Sequence, residues 1–195
     1  MTQKEATKER PIIFSAPMVR AILDGRKKQT RRIVKLREFG RSETRGYDFI
    51  FRDRRGLWND YSVADLMRKV CPYGAPGDRL WVRETFGLPS PCRCGTCEPL
   101  NKKHVSYRAD YTGERFVDRW RPSIFMPRWA SRITLEIVSV RVERLNNISE
   151  EDARAEGVAD CAAYKILWNK INGPGKDWKS NPWVWVIEFK LGARE

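Results

Sequence analysis

Five cations, one hydroxyl and one glycine fall within eight residues at Gly25-Arg26-Lys27-Lys28-Gln29-Thr30-Arg31-Arg32. Such a cluster suits two kinds of chemistry. It can grip a phosphate through charge-assisted hydrogen bonds, or let an amine activate the alcohol beside it as a nucleophile. The same residues also fit a solvated basic loop. A carboxylate partner is on offer in Glu156, which falls in the last turn of an expected helix and so faces the unfavourable end of its dipole. A residue placed against local preference can mark function, although an ordinary exposed glutamate fits equally well. His104 is the only histidine, which weighs against a histidine-based triad.

Stepping outward from this cluster, Pro17 to Asp24 reads as a short helix with Met18, Ala21 and Ile22 on one face. Gly25 stands where a helix turns out through a left-handed cap. Thr30 to Val34 alternates as a strand, which puts Thr30 and Arg32 on one side and leaves Lys27 in the turn. Ser149 and Asp152 form an N-cap box, an acidic first turn complements the dipole, and Gly157 stops that helix. Ser131 to Arg144 is the clearest strand, and its apolar set changes parity at Ile137-Val138, which predicts a bulge. Trp183 to Phe189 is apolar on both faces, as a strand covered on both sides must be.

Further strands are expected at Pro11–Phe14, Tyr47–Phe51, Arg79–Glu84 and Val105–Ala109, and helices at Val63–Val70 and Ala162–Ile171. Loops are expected at Lys35–Arg45 and Arg115–Pro127. The order predicts an α+β, mainly β fold: one small barrel with short flanking helices.

At 195 residues the chain suffices for a single domain, expected over 11–191 after a disordered tail at 1–10. The net charge is +13, with 38 Lys+Arg against 25 Asp+Glu. A basic excess of this size, in a chain with no apolar run long enough to span a bilayer, points to nucleic acid or another polyanion as partner, with no membrane expected. The polar first ten residues do not read as a secretory signal, so the cytoplasm is the expected location. Trp81 and Trp129 lie near Arg83, Arg128 and Arg132 and are candidates to stack on a base. Cys92, Cys94 and Cys97 with His104 could supply four zinc ligands; reduced thiols on a loop are the alternative. The odd count of five cysteines argues against a disulfide framework.

The Gly25-Arg26-Lys27 turn with Thr30 and Arg32, the Gly77-Asp78 turn, the Ile148-Ser149-Glu150…Glu156 helix and the Trp185-Val186-Ile187-Glu188-Phe189 strand together resemble the ASCH domain family of the PUA-like superfamily. Pro11–Arg32, Trp120–Arg144 and Asn181–Phe189 further resemble its phage and prophage members. The resemblance implies a small PUA-like β-barrel with a cleft beside the motif, interrupted here by insertions near 35–60 and 88–112. One branch of the family is similar to amidohydrolases that remove the acetyl group from N4-acetylcytidine. Carried over, its lysine, threonine and glutamate fall on Lys27, Thr30 and Glu156. On that reading Lys27 is the base, Thr30 attacks the acyl carbonyl, and Glu156 orients the amine or shuttles a proton. Arg26, Lys28, Arg31 and Arg32 would then hold nucleic acid, RNA favoured, or a modified nucleoside, and no cofactor is required. The alternatives are a non-catalytic RNA or modified-base binding module, and a metal-independent ribonuclease using Lys27 and Arg32.

Overall fold

A computed structural model describes residues 7–89, 104–113 and 117–192. Along the chain lie β1 (Glu9–Ile13), α1 (Ala16–Leu23), β2 (Gln29–Ile33), β3 (Arg37–Arg41), β4 (Phe49–Arg52), β5 (Trp58–Tyr61) and α2 (Val63–Asp65). They are followed by β6 (Arg79–Arg83), β7 (Phe86–Leu88), β8 (Ser106–Tyr107), β9 (Arg119–Arg121), β10 (Thr134–Arg144), α3 (Glu150–Ala155), α4 (Cys161–Ile171) and β11 (Trp183–Leu191). The fold is α+β and mainly β, as expected.

The main sheet has five strands in the order β1-β6-β10-β11-β2. β11 is its spine. Val184, Trp185, Val186 and Ile187 are all buried, because successive side chains of a strand point to opposite faces and both faces here are covered. Trp185, Ile187 and Phe189 enter one core with Phe14, Val19, Ile22, Leu80 and Leu135. Val184 and Val186 enter a second core beneath α3 and α4, with Leu145, Ala153, Tyr164 and Trp168.

The sheet is not a closed barrel: among the described residues, no backbone ladder joins its edges β1 and β2. A side chain bridges them instead, as the Arg32 guanidinium donates from Nη2 to the Ile13 carbonyl at 2.8 Å.

The expected bulge in β10 is present: the register against β11 shifts between Ile137 and Ser139 and leaves Val138 exposed. The extra residue keeps Leu135, Ile137 and Val140 in one core while turning Arg141 and Glu143 to the opposite face. The capping box of α3 is also as expected, with Ser149 and Asp152 each accepting from the other's backbone N–H.

Other expectations change. β1 begins at Glu9, inside the segment expected to be a disordered tail, because the Glu9–Ile13 backbone pairs in parallel with Arg79–Arg83. The expected loop at Lys35–Arg45 contains β3, which joins β4 and β5 in a separate three-stranded sheet. Its alternation was hidden by charged residues on the outward face. The expected Arg115–Pro127 loop contains β9 and a single helical turn at Ser123–Phe125.

Candidate functional site

Lys27 and Glu156 meet. The Lys27 ammonium donates to Glu156 Oε2 at 2.7 Å and to the Glu156 carbonyl at 2.9 Å, and their side chains are 0% and 4% exposed. Local structure explains the meeting. α1 ends in Gly25 at φ +72, a left-handed exit that glycine adopts without a Cβ clash. The turn is held by Lys27 N–H donating to the Ala21 carbonyl, and Lys28 N–H donates to the Ala155 carbonyl of α3. Gly157, at φ +87, lets α3 come this close: a Cβ there would stand 3.1 Å from the Ala21 Cβ and 3.2 Å from the Lys27 Cβ.

Around this pair lies a charged layer built by strand register. On one face of the sheet, Arg31, Val186 and Arg141 stand side by side, and Gln29, Glu188 and Ser139 form the next row. Arg31 is the hub. Its Nη2 donates to Glu143 at 2.6 Å and to Asp152 at 2.9 Å, and its Nη1 reaches Glu156 at 3.4 Å. Arg141 extends the layer to Asp152 at 2.9 Å and to Glu188. Asp152 therefore serves twice, in the helix cap and between two guanidinium groups.

Burial pushes the Lys27 amine below its ordinary value, against the opposing pull of Glu156. Burial also works against the Arg31 charge, but Glu156 and Glu143 outweigh it and raise the group overall. Tyr164, whose ring lies 5.9 Å beneath the Arg31 guanidinium, is driven well above the usual phenol range by burial.

Thr30 is buried on the opposite face from Arg31, paired with Ile187. Arg32 shares that face and lies over the Phe14 ring at 5.2 Å; the Lys27 ammonium is 5.7 Å from the same ring. A hollow of about 260 Å³ borders this region, lined by Lys27, Lys28, Phe189 and Lys190 among others.

Arg31, expected to hold nucleic acid, is a correction: its side chain is wholly enclosed and ion-paired to three carboxylates. Register decides this, because Arg31 takes the parity that faces α3. Arg26 is exposed and paired with Asp24, and Lys28 is exposed. Arg132 is held by Glu84, at 2.9 and 3.0 Å, and by Asp110. Burial raises Glu84 above its ordinary value against the pull of Arg132.

The remaining candidates form a surface. The Arg83 and Arg128 guanidinium groups lie 5.5 and 6.0 Å from the Trp81 ring, Arg83 donates to the Ile124 carbonyl, and Arg128 pairs with Glu9. Trp129 is exposed here, as are Ile124 and Phe125. Sequence reasoning passed over those two inside a presumed loop; the pattern Arg119-Trp120-Arg121, followed closely by Ile124-Phe125, was the available signal. Glu143, Arg141 and Glu188 were also missed, although their parity beyond the bulge could have found them. Cys92, Cys94 and Cys97 lie outside the described residues; His104 is half-buried. Among the described residues no group of three or more potential ligands gathers to hold a metal.

No family model and no curated protein matches the chain. Among solved structures it is similar to the crystal structure of an ASCH domain from Lactobacillus crispatus JV V101, with 12% identity and a TM-score of 0.45 over 98% of this chain and 86% of that one. With so distant a likeness, function has to be argued from the residues themselves. Among the described residues, no helix is long and apolar enough to cross a membrane.

Proposed function

We propose that this chain is a nucleic-acid-binding protein, of the kind its resemblance to ASCH domains implies, and that it grips a single strand, RNA in preference, on the surface around Trp81. One observation carries this reading. Phe125 is 69% exposed and Trp129 47% exposed, Arg83 and Arg128 lie against the Trp81 ring, Arg83 also reaches the Ile124 carbonyl, and Arg119 and Arg121 are exposed on β9, nearby in the sequence. Aromatic faces beside guanidinium groups stack bases while neighbouring charges track phosphates. A chain of net charge +13 supplies the long-range attraction.

Fluorescence anisotropy with labelled RNA, titrated with salt, tests it. The double change Phe125→Ala/Trp129→Ala should weaken binding about tenfold or more, since each stacked base is worth about 1–3 kcal/mol. Affinity that is absent, or indifferent to salt and to both changes, sinks the reading.

A second reading has its own support in the enclosed Lys27 amine, lowered in pKa, three residues before Thr30 in the chain and beside a hollow with a basic rim. It is hydrolysis of the amide of an N4-acylated cytidine. The Thr30 oxygen would bond to the acyl carbon, Lys27 would take the hydroxyl proton and return it to the leaving amine, and water would then release the acyl group from Thr30. Glu156 would hold Lys27 in place. Free cytidine and acetate should form with wild type and not with Thr30→Ala. Wild-type protein that leaves N4-acetylcytidine intact removes this reading and leaves the first untouched.

A further inference from the structure

The three-stranded sheet β3-β4-β5 has two unlike faces. Inward, Phe49 and Phe51 are buried, Phe39 stacks on Phe49, and Phe39 and Phe49 both meet the edge of Trp183. Outward, directly paired residues share a face, so the pairs Arg37↔Arg52 and Arg52↔Trp58 set one row across all three strands. Trp58 is 54% exposed, and Arg37 and Arg52 are exposed beside it. In the next row Gly40 stands across from Ile50, and a Cβ at Gly40 would meet nothing.

The β4–β5 turn is held rigid from within. Asp53 Oδ1 accepts from the backbone N–H groups of Arg55 and Leu57, both at 2.9 Å, and Arg52 Nε donates to the Gly56 carbonyl at 2.9 Å. Arg54, Arg55 and Leu57 project from it, all exposed.

The nearby carboxylates are already engaged. Asp60 accepts from the Ser42 and Thr44 hydroxyls, Asp48 accepts from the Val63 N–H, and Asp53 is held in the turn. Glu38 reaches Arg52, at 3.4 Å. Arg37 and Arg54 are exposed, and so is Arg55, whose charge helps to lower the Asp53 carboxyl.

We infer that this outward face is a second contact site for single-stranded nucleic acid, with Trp58 stacking on a base and Arg37, Arg54 and Arg55 on the flanking phosphates. An exposed tryptophan in one row with Arg52 and Arg37, beside a turn that carries Arg54 and Arg55, complements a polyanion carrying flat bases. The inference rests on the nucleic-acid reading above but uses none of the same residues.

The test measures anisotropy of labelled oligouridylate, about 30 nucleotides long so that both surfaces can be occupied at once. Trp58→Ala should weaken binding about tenfold, Trp58→Phe should retain most of the affinity, and thermal unfolding of both should match wild type. Arg54→Ala/Arg55→Ala should lower the salt slope by about 1.4, at about 0.7 per phosphate contact on a single strand. Wild-type affinity in Trp58→Ala and in the arginine pair, with Phe125→Ala/Trp129→Ala impaired, overturns this site alone. Wild-type protein that binds no oligonucleotide overturns both sites.

Discussion

Two regions of this protein are rich in arginine and use it in opposite ways. In the layer beneath α3, Arg31 and Arg141 are surrounded by Glu143, Asp152, Glu156 and Glu188, and with Lys27 they form a network of three cations and four carboxylates. On the surfaces around Trp81 and Trp58, the guanidinium groups lie beside aromatic rings or project into solvent. Buried charges must be paired, because desolvation is expensive; exposed ones stay available to a partner. Residue type is therefore a poor guide to role here. Strand parity decides it, as Arg31 and Arg32 show: adjacent in sequence, one enters the network and the other latches the sheet edges.

The comparison can be broken at its strongest point first. Glu156→Ala leaves Lys27 without its carboxylate in an enclosed site and should cost about 3–5 kcal/mol in urea unfolding. A loss below about 1 kcal/mol would mean that the network is not the buried structure described. Next, Gly157→Ala imposes a left-handed conformation on a residue with a Cβ and presses it against Ala21 and Lys27. It should cost about 1–3 kcal/mol and lower the melting temperature.

A smaller effect comes from acid. Burial works to raise Asp152, but Arg31 and Arg141 prevail and hold it below its ordinary 3.8. A carboxylate lowered on folding contributes stability that is present above pH 3.8 and lost as pH falls through the folded value. Asp152→Asn should therefore flatten the stability profile below pH 3.8, read by urea midpoints across acidic buffers. The smallest effect on folding belongs to the surface. Arg119→Ala/Arg121→Ala should leave stability within about 0.5 kcal/mol while weakening RNA affinity. Nuclear magnetic resonance or calorimetric melting showing a large stability loss would place these arginines in the structural class instead.

Much of the frame could be read locally. The capping box at Ser149–Asp152, the bulge at Val138, the Gly25 exit and the doubly apolar β11 are all short-range signals, and all are present. The misread segments are those where the pattern was masked. β3 carries arginine and glutamate on its exposed side, and β9 is a three-residue strand between turns. The candidate site was half legible. Lys27 and Glu156 stood out as chemistry-bearing residues, but the carboxylates that engage Arg31 come from β10 and α3, more than a hundred residues away.

The sequence by itself determined where helices start and stop, which strand would be central, and that the molecule carries an excess of positive charge, because caps, alternation and composition act over a few residues. Only the tertiary structure decided which charges that excess consists of. Register across β2, β11 and β10, with α3 packed over them, sets three cations against four carboxylates and removes Lys27, Arg31 and Glu156 from solvent. What remains for a partner is the set of arginines whose strands happen to turn them outward.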